Sequence, residues 1–294
     1  MGKIDGCAMN QSGGNTPTWH AWSASDCRSY VHLPRQSDDK YSRGVLGVIA
    51  GSRQYPGAAL LVCKAALHTG IGMVRYSGPR TVKNILLQAA PEVVVQNGKV
   101  QSWVVGPGID LSRTGRWRKR DINRALLEGV PTLIDAGALS ELTSSTFPRI
   151  ITPHFRELSR ALSTQNIQVS PAEIESDPKK WAIRASEIFT CVVLLKGSHT
   201  VIASSEKCFV LPQSTSWLAT AGSGDVLAGI IGALLATNSS LLLVQPERLS
   251  EIAATGAYIH AEAARVASNG GPISPTDIID SIPEIVASLV GNSE

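Results

Sequence analysis

The sequence predicts an α/β protein in which a central, mostly parallel sheet lies between two layers of helices. Short apolar runs alternate with segments of helical periodicity, which is typical of strands joined by crossover helices. Runs such as Val192–Leu195 lack polar alternation and therefore indicate strands covered on both faces. A chain of 294 residues with 43% hydrophobic composition is long enough for one large domain of this class. We therefore predict a three-layer αβα sandwich.

Each predicted element is an apolar run or an amphipathic stretch bounded by glycine, proline or polar residues. Strand and helix alternate first, and a pair of short strands then precedes three helices. The predicted strands are Val45–Ala50, Met73–Tyr76, Val93–Val95, Trp103–Val105, Thr132–Ile134, Ile150–Ile151, Val192–Lys196, Val201–Ala203 and Cys208–Val210. The predicted helices are Gly57–Thr69, Thr81–Gln88, Trp117–Glu128, Ala138–Leu142, Phe155–Leu162, Pro171–Phe189, 224–237, 247–268 and 276–289.

The first 39 residues differ in composition from the rest of the chain. They are rich in Ser, Gly, Asn, Gln and Asp, so we predict a flexible N-terminus with a short segment docked near Asp26–Leu33. The ordered domain is predicted to span residues 40–294, because no linker rich in proline, glycine or serine divides that region.

The charge balance predicts no nucleic acid and no membrane as partner. The chain has 27 Lys and Arg against 24 Asp and Glu, and a net charge of +3 is too small to indicate either. The basic run Arg113–Arg120 is either a phosphate-binding patch or the wet face of a helix, and the helical pattern that follows it favours the helix. The longest apolar stretch, Val226–Val244, is interrupted at residues 238–240.

Five cysteines are scattered along the chain without a Cys-x-x-Cys pair and without histidines at metal-binding spacing. This usage fits a reducing compartment, and no apolar signal segment occupies the first twenty residues, so we expect a cytoplasmic protein. Cys63 and Cys191 lie in apolar segments, where a thiol usually acts as a small buried hydrophobe.

The most informative motif is a glycine turn, Thr-Ala-Gly-Ser-Gly-Asp at residues 220–225, which opens an apolar helix. Glycines let the backbone approach a ligand, and free N–H groups at a helix N-terminus favour anionic oxygen, so Gly222, Ser223 and Gly224 are predicted to form an anion hole. A carboxylate beside a bound phosphate is unfavourable unless a proton or a metal ion lies between them. Asp225 is therefore interpreted as a catalytic base, with simple dipole stabilisation of the helix as the alternative.

Five further motifs follow predicted strands, and in such sheets ligands bind at the carboxyl ends of strands. Each also has a structural interpretation, as a turn, a helix start, a hairpin corner or, for Asp135, a structural hydrogen bond, which the sequence leaves open. His154 in particular resembles a helix cap, because Glu157 follows three positions later. Together with the glycine turn, these motifs indicate a nucleotide-dependent site; they are 51–59, 106–108, Asp135, 152–157 and 196–200.

Taken together, the motifs resemble those of the ADP/ATP-dependent NAD(P)H-hydrate dehydratases over about residues 40–290. The resemblance rests on Lys40-Tyr41-Ser42-Arg43-Gly44, Ala50-Gly51-Ser52, Tyr55-Pro56-Gly57-Ala58-Ala59, Gly106-Pro107-Gly108, Asp135-Ala136-Gly137-Ala138-Leu139, Thr152-Pro153-His154, Lys196-Gly197, Thr200 and Ala221-Gly222-Ser223-Gly224-Asp225. It implies a ribokinase-like fold and repair of hydrated NADH or NADPH. In the reaction that the resemblance implies, the ring hydroxyl would be phosphorylated by ATP or ADP with Mg²⁺, and phosphate would then be expelled.

The resemblance also implies roles for individual residues. Asp225 would be the base at the substrate hydroxyl. The substrate pocket would include Ala58, Gly108, His154 and Asp225, and the nucleotide would be held by Lys196, Gly197, Ser198, His199, Thr200 and Gly224. The chain departs from the family pattern at Phe155-Arg156 and Ser214-Thr215. A homo-oligomer, expected as a homotetramer, and an epimerase acting as a separate protein are also implied.

Two other functions are compatible with these motifs. A kinase of the same fold that acts on a vitamin-precursor alcohol would share the glycine turn and the aspartate base. A non-enzymatic nucleotide sensor would keep the nucleotide site but would not need Asp225. The Lys-Gly-x-x-Thr and Thr-Pro-His motifs favour the dehydratase.

Overall fold

The predicted three-layer sandwich is confirmed by a computed structural model, which describes residues 18–111, 115–142 and 145–291, without the side chains of residues 116 and 117. Nine strands of the described chain form one sheet in the order β1-β9-β8-β7-β6-β5-β4-β2-β3. Neighbouring strands are parallel except β7–β8 and β8–β9. The strands are β1 Trp19–Ala21, β2 Val45–Ile49, β3 Met73–Tyr76, β4 Ser102–Val105, β5 Thr132–Ile134, β6 Arg149–Ile151, β7 Val192–Leu195, β8 Val201–Ala203 and β9 Cys208–Val210.

Helices cover both faces of this sheet, which explains why most of its strands are fully buried. One apolar core includes buried side chains of α2, α8, α10 and α11, and the other includes those of α4, α5, α6 and α7. The helices are α1 Ala24–Cys27, α2 Pro56–His68, α3 Arg80–Ala89, α4 Arg116–Leu127, α5 Phe155–Ser163, α6 Pro171–Ser176, α7 Pro178–Phe189, α8 Ser223–Thr237, α9 Ser239–Val244, α10 Leu249–Ser268 and α11 Pro275–Val290.

Three predicted elements are wrong in detail. The helix predicted over 171–189 is two helices, because Pro178 disfavours helical geometry at Asp177, whose side chain caps the second helix. Residues 93–95 form no strand, and only one bridge joins Val94 to Arg75. The segment predicted as a helix at 138–142 is a 3₁₀ helix, Ala136–Glu141.

The N-terminal segment contributes more to the fold than its composition indicates. Strand β1 pairs with β9 at one edge of the sheet, and Trp22 and Tyr30 are buried in the core. The Tyr30 hydroxyl donates a hydrogen bond to Glu251 on α10. Residues 1–17, which include Cys7 and belong to the segment predicted to be flexible, lie outside the described residues.

Residues 116–120 of the basic run belong to helix α4, as predicted, but Arg118 is not on its exposed face. Its guanidinium donates to the carbonyl oxygens of Ser77 at 2.9 Å, Ala50 at 2.9 Å and Gly51 at 3.2 Å. Lys119 and Arg120 are exposed, whereas Arg113 lies outside the described residues. Arg118 therefore ties α4 to the loop that follows β2.

Other side chains agree with the predicted type of core. Cys63 is fully buried, and Cys191 is half-buried beside the second core. The helices in the described parts of the chain include none with the length and apolar character needed to cross a membrane.

Candidate active site

The carboxyl ends of the central strands meet the N-terminus of α8 at one edge of the sheet. Backbone hydrogen bonds join the loops: Gly51 N–H donates to Pro107 O at 2.7 Å, and Lys196 N–H donates to Pro153 O at 2.9 Å. Two cavities open here, with volumes of about 640 and 560 Å³. We call them the larger and the smaller cavity.

The larger cavity brings together most of the nucleotide-binding residues expected from the sequence. Its wall includes Lys196, Gly197, Ser198, Thr200, Ser223 and Gly224, and also His154. His199 and Gly222 are not part of the wall formed by the described residues. Phe155, one of the departures from the family pattern, packs against Gly197. A Cβ added at Gly197 would lie 2.7 Å from the Phe155 ring.

The glycine turn has the geometry expected at the mouth of a ligand site. Gly222 has φ +96°, a conformation that favours glycine, and an added Cβ would lie 2.7 Å from Leu61 Cδ1, which would have to shift. The Ser223 amide already donates to Thr220 O at 3.3 Å, and an anion would have to share that donor. A Cβ at Gly224 would lie 3.5 Å from Lys196 Nζ, which places the ammonium group close to the turn.

Asp225 lies in the first turn of α8 and is half-buried. Burial raises the pKa of its carboxyl group to about 7, the negative charge of Asp135 adds to this shift, and Lys196 opposes it. A carboxyl group with a pKa near neutrality gains and loses a proton readily at physiological pH. This property suits a general base better than a simple helix cap.

A buried ion pair lies beside Asp225. Lys196 Nζ is 3.0 Å from Asp135 Oδ1 and 3.8 Å from Glu157 Oε2. Burial acts to lower the pKa of Lys196, but the two carboxylates outweigh burial and the net effect is a raised pKa. Asp135 also accepts a hydrogen bond from Thr152 Oγ1 at 2.8 Å. Lys196 therefore supplies a positive charge close to the carboxylates of Asp135, Glu157 and Asp225.

His154 caps helix α5, so the structural interpretation of this residue is confirmed. Its Nδ1 accepts hydrogen bonds from the Arg156 and Glu157 amides at 3.2 and 3.3 Å, and Glu157 accepts from the His154 amide at 2.9 Å. Burial lowers the pKa of the ring, which favours the neutral form that a cap requires. The ring also borders the larger cavity, so capping does not exclude contact with a ligand.

The other predicted substrate residues lie together near the smaller cavity. A Cβ added at Gly108 would lie 2.5 Å from Ala58 Cβ and 3.0 Å from the Tyr55 carbonyl. Tyr55 and Glu157 belong to the wall of the smaller cavity. Glu157 Oε2 is also 3.6 Å from His154 Nε2 and 3.8 Å from Lys196 Nζ, and both of these residues line the larger cavity. Glu157 therefore connects the wall of the smaller cavity to two residues that line the larger one.

Sequence reasoning missed two parts of the site. Residues 211–220 form a loop over the larger cavity, held by a 3.0 Å bond from Ser214 Oγ to Ala261 O. His260 lines the same cavity from α10. Within that loop the sequence singled out only Ser214-Thr215, as a departure from the family pattern. His260 had no local motif, because helix α10 follows the glycine turn by more than twenty residues and only the folded chain brings the two together.

No three His, Cys, Asp or Glu side chains come together as a metal site within the described chain. A magnesium ion often keeps several waters and uses one or two carboxylates with substrate phosphates.

Comparisons with known proteins agree with this geometry. A family model described as NAD(P)H-hydrate dehydratase matches residues 46–284. The chain is 36% identical over 288 residues to the bifunctional NAD(P)H-hydrate repair enzyme Nnr of Corynebacterium glutamicum, an alignment that covers 87% of this chain and 49% of that protein. The chain thus spans about half the length of the bifunctional relatives it matches.

A shorter relative is matched over most of its length. The chain is 32% identical over 267 residues to the ADP-dependent (S)-NAD(P)H-hydrate dehydratase of Neisseria meningitidis serogroup B, covering 83% of this chain and 84% of that protein. Among solved structures, the Bacillus subtilis ADP/ATP-dependent NAD(P)H-hydrate dehydratase, co-crystallised with ATP/Mg²⁺, has a TM-score of 0.80 at 23% identity and covers 94% of this chain and 99% of that one. This likeness confirms the ribokinase-like fold. The family model and the two relatives together show that the chain belongs to the NAD(P)H-hydrate dehydratase family.

Proposed function

We propose that the chain catalyses the dehydration of (6S)-NADHX or (6S)-NADPHX to NADH or NADPH, with ADP or ATP as co-substrate. The observation that carries this proposal is Asp225, a carboxyl group with a pKa near 7 at the N-terminus of a helix that borders the larger cavity. The name of the Neisseria relative supports the same reaction. The enzyme would be a hydro-lyase.

In this reaction Asp225 takes the proton from the ring hydroxyl of the hydrated nicotinamide. The hydroxyl oxygen then forms a bond to the terminal phosphorus of the nucleotide, and the bond from that phosphorus to the bridging oxygen breaks. The bond from the ring carbon to the ester oxygen then breaks, phosphate leaves with the electron pair, and loss of a proton from the neighbouring ring carbon to solvent restores the double bond. The net products from ADP are the dihydronicotinamide, AMP and phosphate.

The two cavities separate the reactants. We place the nucleotide in the larger cavity, because its wall combines Lys196 with the glycine turn. The hydrated nicotinamide would lie toward Ala58 and Gly108, beside the smaller cavity. Lys196, held by Asp135 and Glu157, would face negative charge that develops on the transferred phosphoryl group.

Magnesium would accompany the nucleotide, as it does in the crystals of the Bacillus enzyme. When bound, the ion would neutralise phosphate charge. The residues near the turn leave room for this arrangement, since Gly224 has no side chain and an added Cβ would contact only Lys196 Nζ within 4 Å.

The decisive assay incubates the chain with hydrated NADH, Mg²⁺ and either ADP or ATP, and follows dihydronicotinamide absorbance together with released phosphate. We expect both signals to rise in equal amounts and to require the nucleotide. A kinase would instead consume ATP without restoring absorbance from hydrated NADH. A nucleotide sensor would bind ADP and produce neither signal.

The proposal also includes the source of the substrate, the oligomeric state and the cellular location. We propose that an epimerase supplies the (6S) form, and that the chain acts as a homo-oligomer, with a homotetramer as the expected form. A cytoplasmic location stays a prediction from the cysteine usage.

A further inference from the structure

Three neighbouring strands, β5, β6 and β7, are followed by polar residues on the face of the sheet that α8 covers. Asp135, Thr152 and Lys196 each lie two positions beyond a strand residue that is buried in the core with α8. The backbone ladder continues to them, since Asp135 N–H donates to Val105 O at 3.0 Å and Thr152 N–H donates to Ile134 O at 3.3 Å. Side chains alternate between the faces of a strand, so these three lie on one face.

One oxygen atom of Asp135 joins the other two side chains. Asp135 Oδ1 accepts hydrogen bonds from Thr152 Oγ1 at 2.8 Å and from Lys196 Nζ at 3.0 Å. Asp135 and Thr152 are buried, with 3% and 1% of each residue exposed. Hydrogen bonds to a charged group are strong in a buried site, where water competes little. The Thr152 hydroxyl therefore restricts the orientation of the carboxylate that binds the ammonium group.

Thr152 is itself held firmly. Its β-branched side chain restricts rotation about χ1, and the following Pro153 favours an extended backbone at Thr152. Thr152 does not belong to the described wall of either cavity. Its hydroxyl therefore acts on Asp135 and not directly on a bound molecule.

The position of the Lys196 ammonium group is important because Lys196 lines the larger cavity. A Cβ added at Gly224 would lie 3.5 Å from Lys196 Nζ, at the turn that opens α8. Burial acts to lower the pKa of Lys196, and Asp135 and Glu157 raise it above its ordinary value, so the group stays charged. Electrostatic stabilisation of a transition state depends on charges that are already in place when the reaction begins.

We propose that Thr152 is a positioning residue for phosphoryl transfer. Its hydroxyl fixes the Asp135 carboxylate, and the carboxylate holds the Lys196 ammonium group beside the glycine turn. This inference rests on the proposed function, which places the transferred phosphoryl group beside Lys196. A purely structural hydrogen bond would contribute to stability and leave the rate of the reaction unchanged.

The test compares Thr152→Val, which removes the hydroxyl and keeps the shape of the side chain, with Thr152→Ser, which keeps the hydroxyl. With saturating hydrated NADH, ADP and Mg²⁺, we expect Thr152→Val to lower kcat about tenfold, the size of one hydrogen bond. KM for hydrated NADH should change less than about twofold, because Thr152 lines neither cavity. Thr152→Ser should keep most of the wild-type kcat.

Thr132→Val is the matched control. The Thr132 hydroxyl is also buried and donates to Val130 O at 3.0 Å, at the opposite end of β5 from Asp135. Loss of this hydroxyl should lower stability and leave kcat unchanged. A double variant tests whether the effect passes through Asp135: in an Asp135→Ala background, which has no carboxylate to position, Thr152→Val should lower kcat no further.

A third measurement needs no turnover. Reductive methylation followed by mass spectrometry reports how readily each amino group reacts. Lys196 should react faster in Thr152→Val than in the wild-type protein. Lys207, whose ion pair with Glu251 does not involve this cluster, should react at the same rate in both.

Wild-type kcat in Thr152→Val, an equal loss of kcat in Thr132→Val, or an undiminished loss in the Asp135→Ala background would overturn the inference. If Thr152→Val does not fold, the wild-type protein gives the answer by NMR: the Thr152 hydroxyl proton should exchange slowly with water, and exchange as fast as that of an exposed threonine would also overturn it. If the wild-type protein does not convert hydrated NADH, the proposed function fails. Faster labelling of Lys196 in Thr152→Val would then leave the link from Thr152 to Lys196 in place, and unchanged labelling would overturn that link.

Discussion

At the scale of single residues, two side chains each stabilise a helix N-terminus and also have a proposed role in the reaction. Asp225 lies in the first turn of α8, where a carboxylate is favoured by the helix dipole, yet burial and the nearby Asp135 raise its pKa. His154 caps α5 and also borders the larger cavity. For such residues, a structural role does not argue against a functional one, and only variants that separate the two roles can assign them.

We expect Asp225→Asn to lower turnover by about 10²–10⁴-fold while leaving ADP affinity nearly unchanged, because the amide keeps the size of the side chain but cannot accept the proton. In the wild-type enzyme, kcat/KM should rise with pH through about 7, as the carboxyl group ionises. Asp135→Asn should move this rise to lower pH, since it removes a negative charge that raises the pKa of Asp225. Steady-state kinetics across pH provide the check.

The pH dependence of the free energy of unfolding gives an independent test of the raised pKa of Asp225. The folded state holds the Asp225 proton up to about pH 7, whereas the ordinary value is 3.8, so unfolding should become easier as pH rises between these values. Asp225→Asn should remove that component. Near-native turnover in this variant, or an unchanged stability profile, would exclude Asp225 as a buried base with a raised pKa.

For His154, the variants Asn and Ala separate the two roles. Asn is a good helix cap, so His154→Asn should keep the melting temperature while raising KM for hydrated NADH, if the ring contacts substrate. His154→Ala should raise KM similarly and also lose about 0.5–2 kcal/mol of stability. Thermal melts and kinetics with ADP held saturating distinguish these effects. An unchanged KM in His154→Asn would leave the residue as a cap alone.

Sequence patterns located the residues that directly follow strands, because an apolar run ending in glycine or a polar group is a local signal. Asp135, His154 and Lys196 were all found in this way, and the structure places them around one ion-pair network. Glu157 was recognised only as part of a capping pattern, and its position beside Lys196 depends on packing. His260 had no local signal at all, since its neighbours Ser223 and Lys196 are distant in sequence.

At the scale of elements, eight strands of the sheet were predicted to within one residue, whereas the strand at 93–95 and the single helix over 171–189 were wrong and β1 was missed. Strands covered on both faces, such as β7, are short continuous apolar runs, and their length separates them from the longer apolar helix α8. Helix α4 shows a limit of sequence patterns. Its basic run predicts a solvent-exposed face, yet one arginine of the run, Arg118, contacts loops at the edge of the sheet. The three carbonyls that Arg118 contacts belong to loops after β2 and β3, and no sequence pattern specifies them.

We expect Arg118→Met to destabilise the protein by about 1.5–3 kcal/mol, because three carbonyl groups lose a charged donor. The variant should also raise KM for hydrated NADH, since Gly51 belongs to the loop that lies against Ala58 and Gly108. Arg124→Met on the same helix is the matched control: its exposed 3.8 Å pair with Asp121 should contribute less than about 1 kcal/mol. Denaturant unfolding and kinetics measure both effects. Equal stability losses in the two variants would show that the Arg118 contacts do not hold the loop.

At the scale of the whole molecule, composition and structure differ on where the cooperative domain begins. Composition predicts a start near residue 40, because polar residues dominate the preceding segment. The structure nevertheless adds β1 to the sheet and buries Trp22 against Phe209, with ring centroids 4.8 Å apart. Tyr30, at the end of the same segment, bonds Glu251 on α10, the helix that also presents His260 to the larger cavity. A few aromatic anchors thus outweigh the polar composition around them.

If this segment is part of the cooperative unit, Trp22→Ala should lower the free energy of unfolding by about 3–5 kcal/mol, as expected for loss of a buried aromatic side chain. The loss should appear in a single transition seen alike by circular dichroism and by fluorescence, since Trp22 belongs to the same core as the buried residues of α8 and α10. His20→Ala, on the exposed side of β1, should change stability by less than about 0.5 kcal/mol. A loss of less than about 1 kcal/mol for Trp22→Ala, or a separate early transition, would instead support a domain that begins near residue 40, because a segment that unfolds independently adds nothing to the stability of the rest.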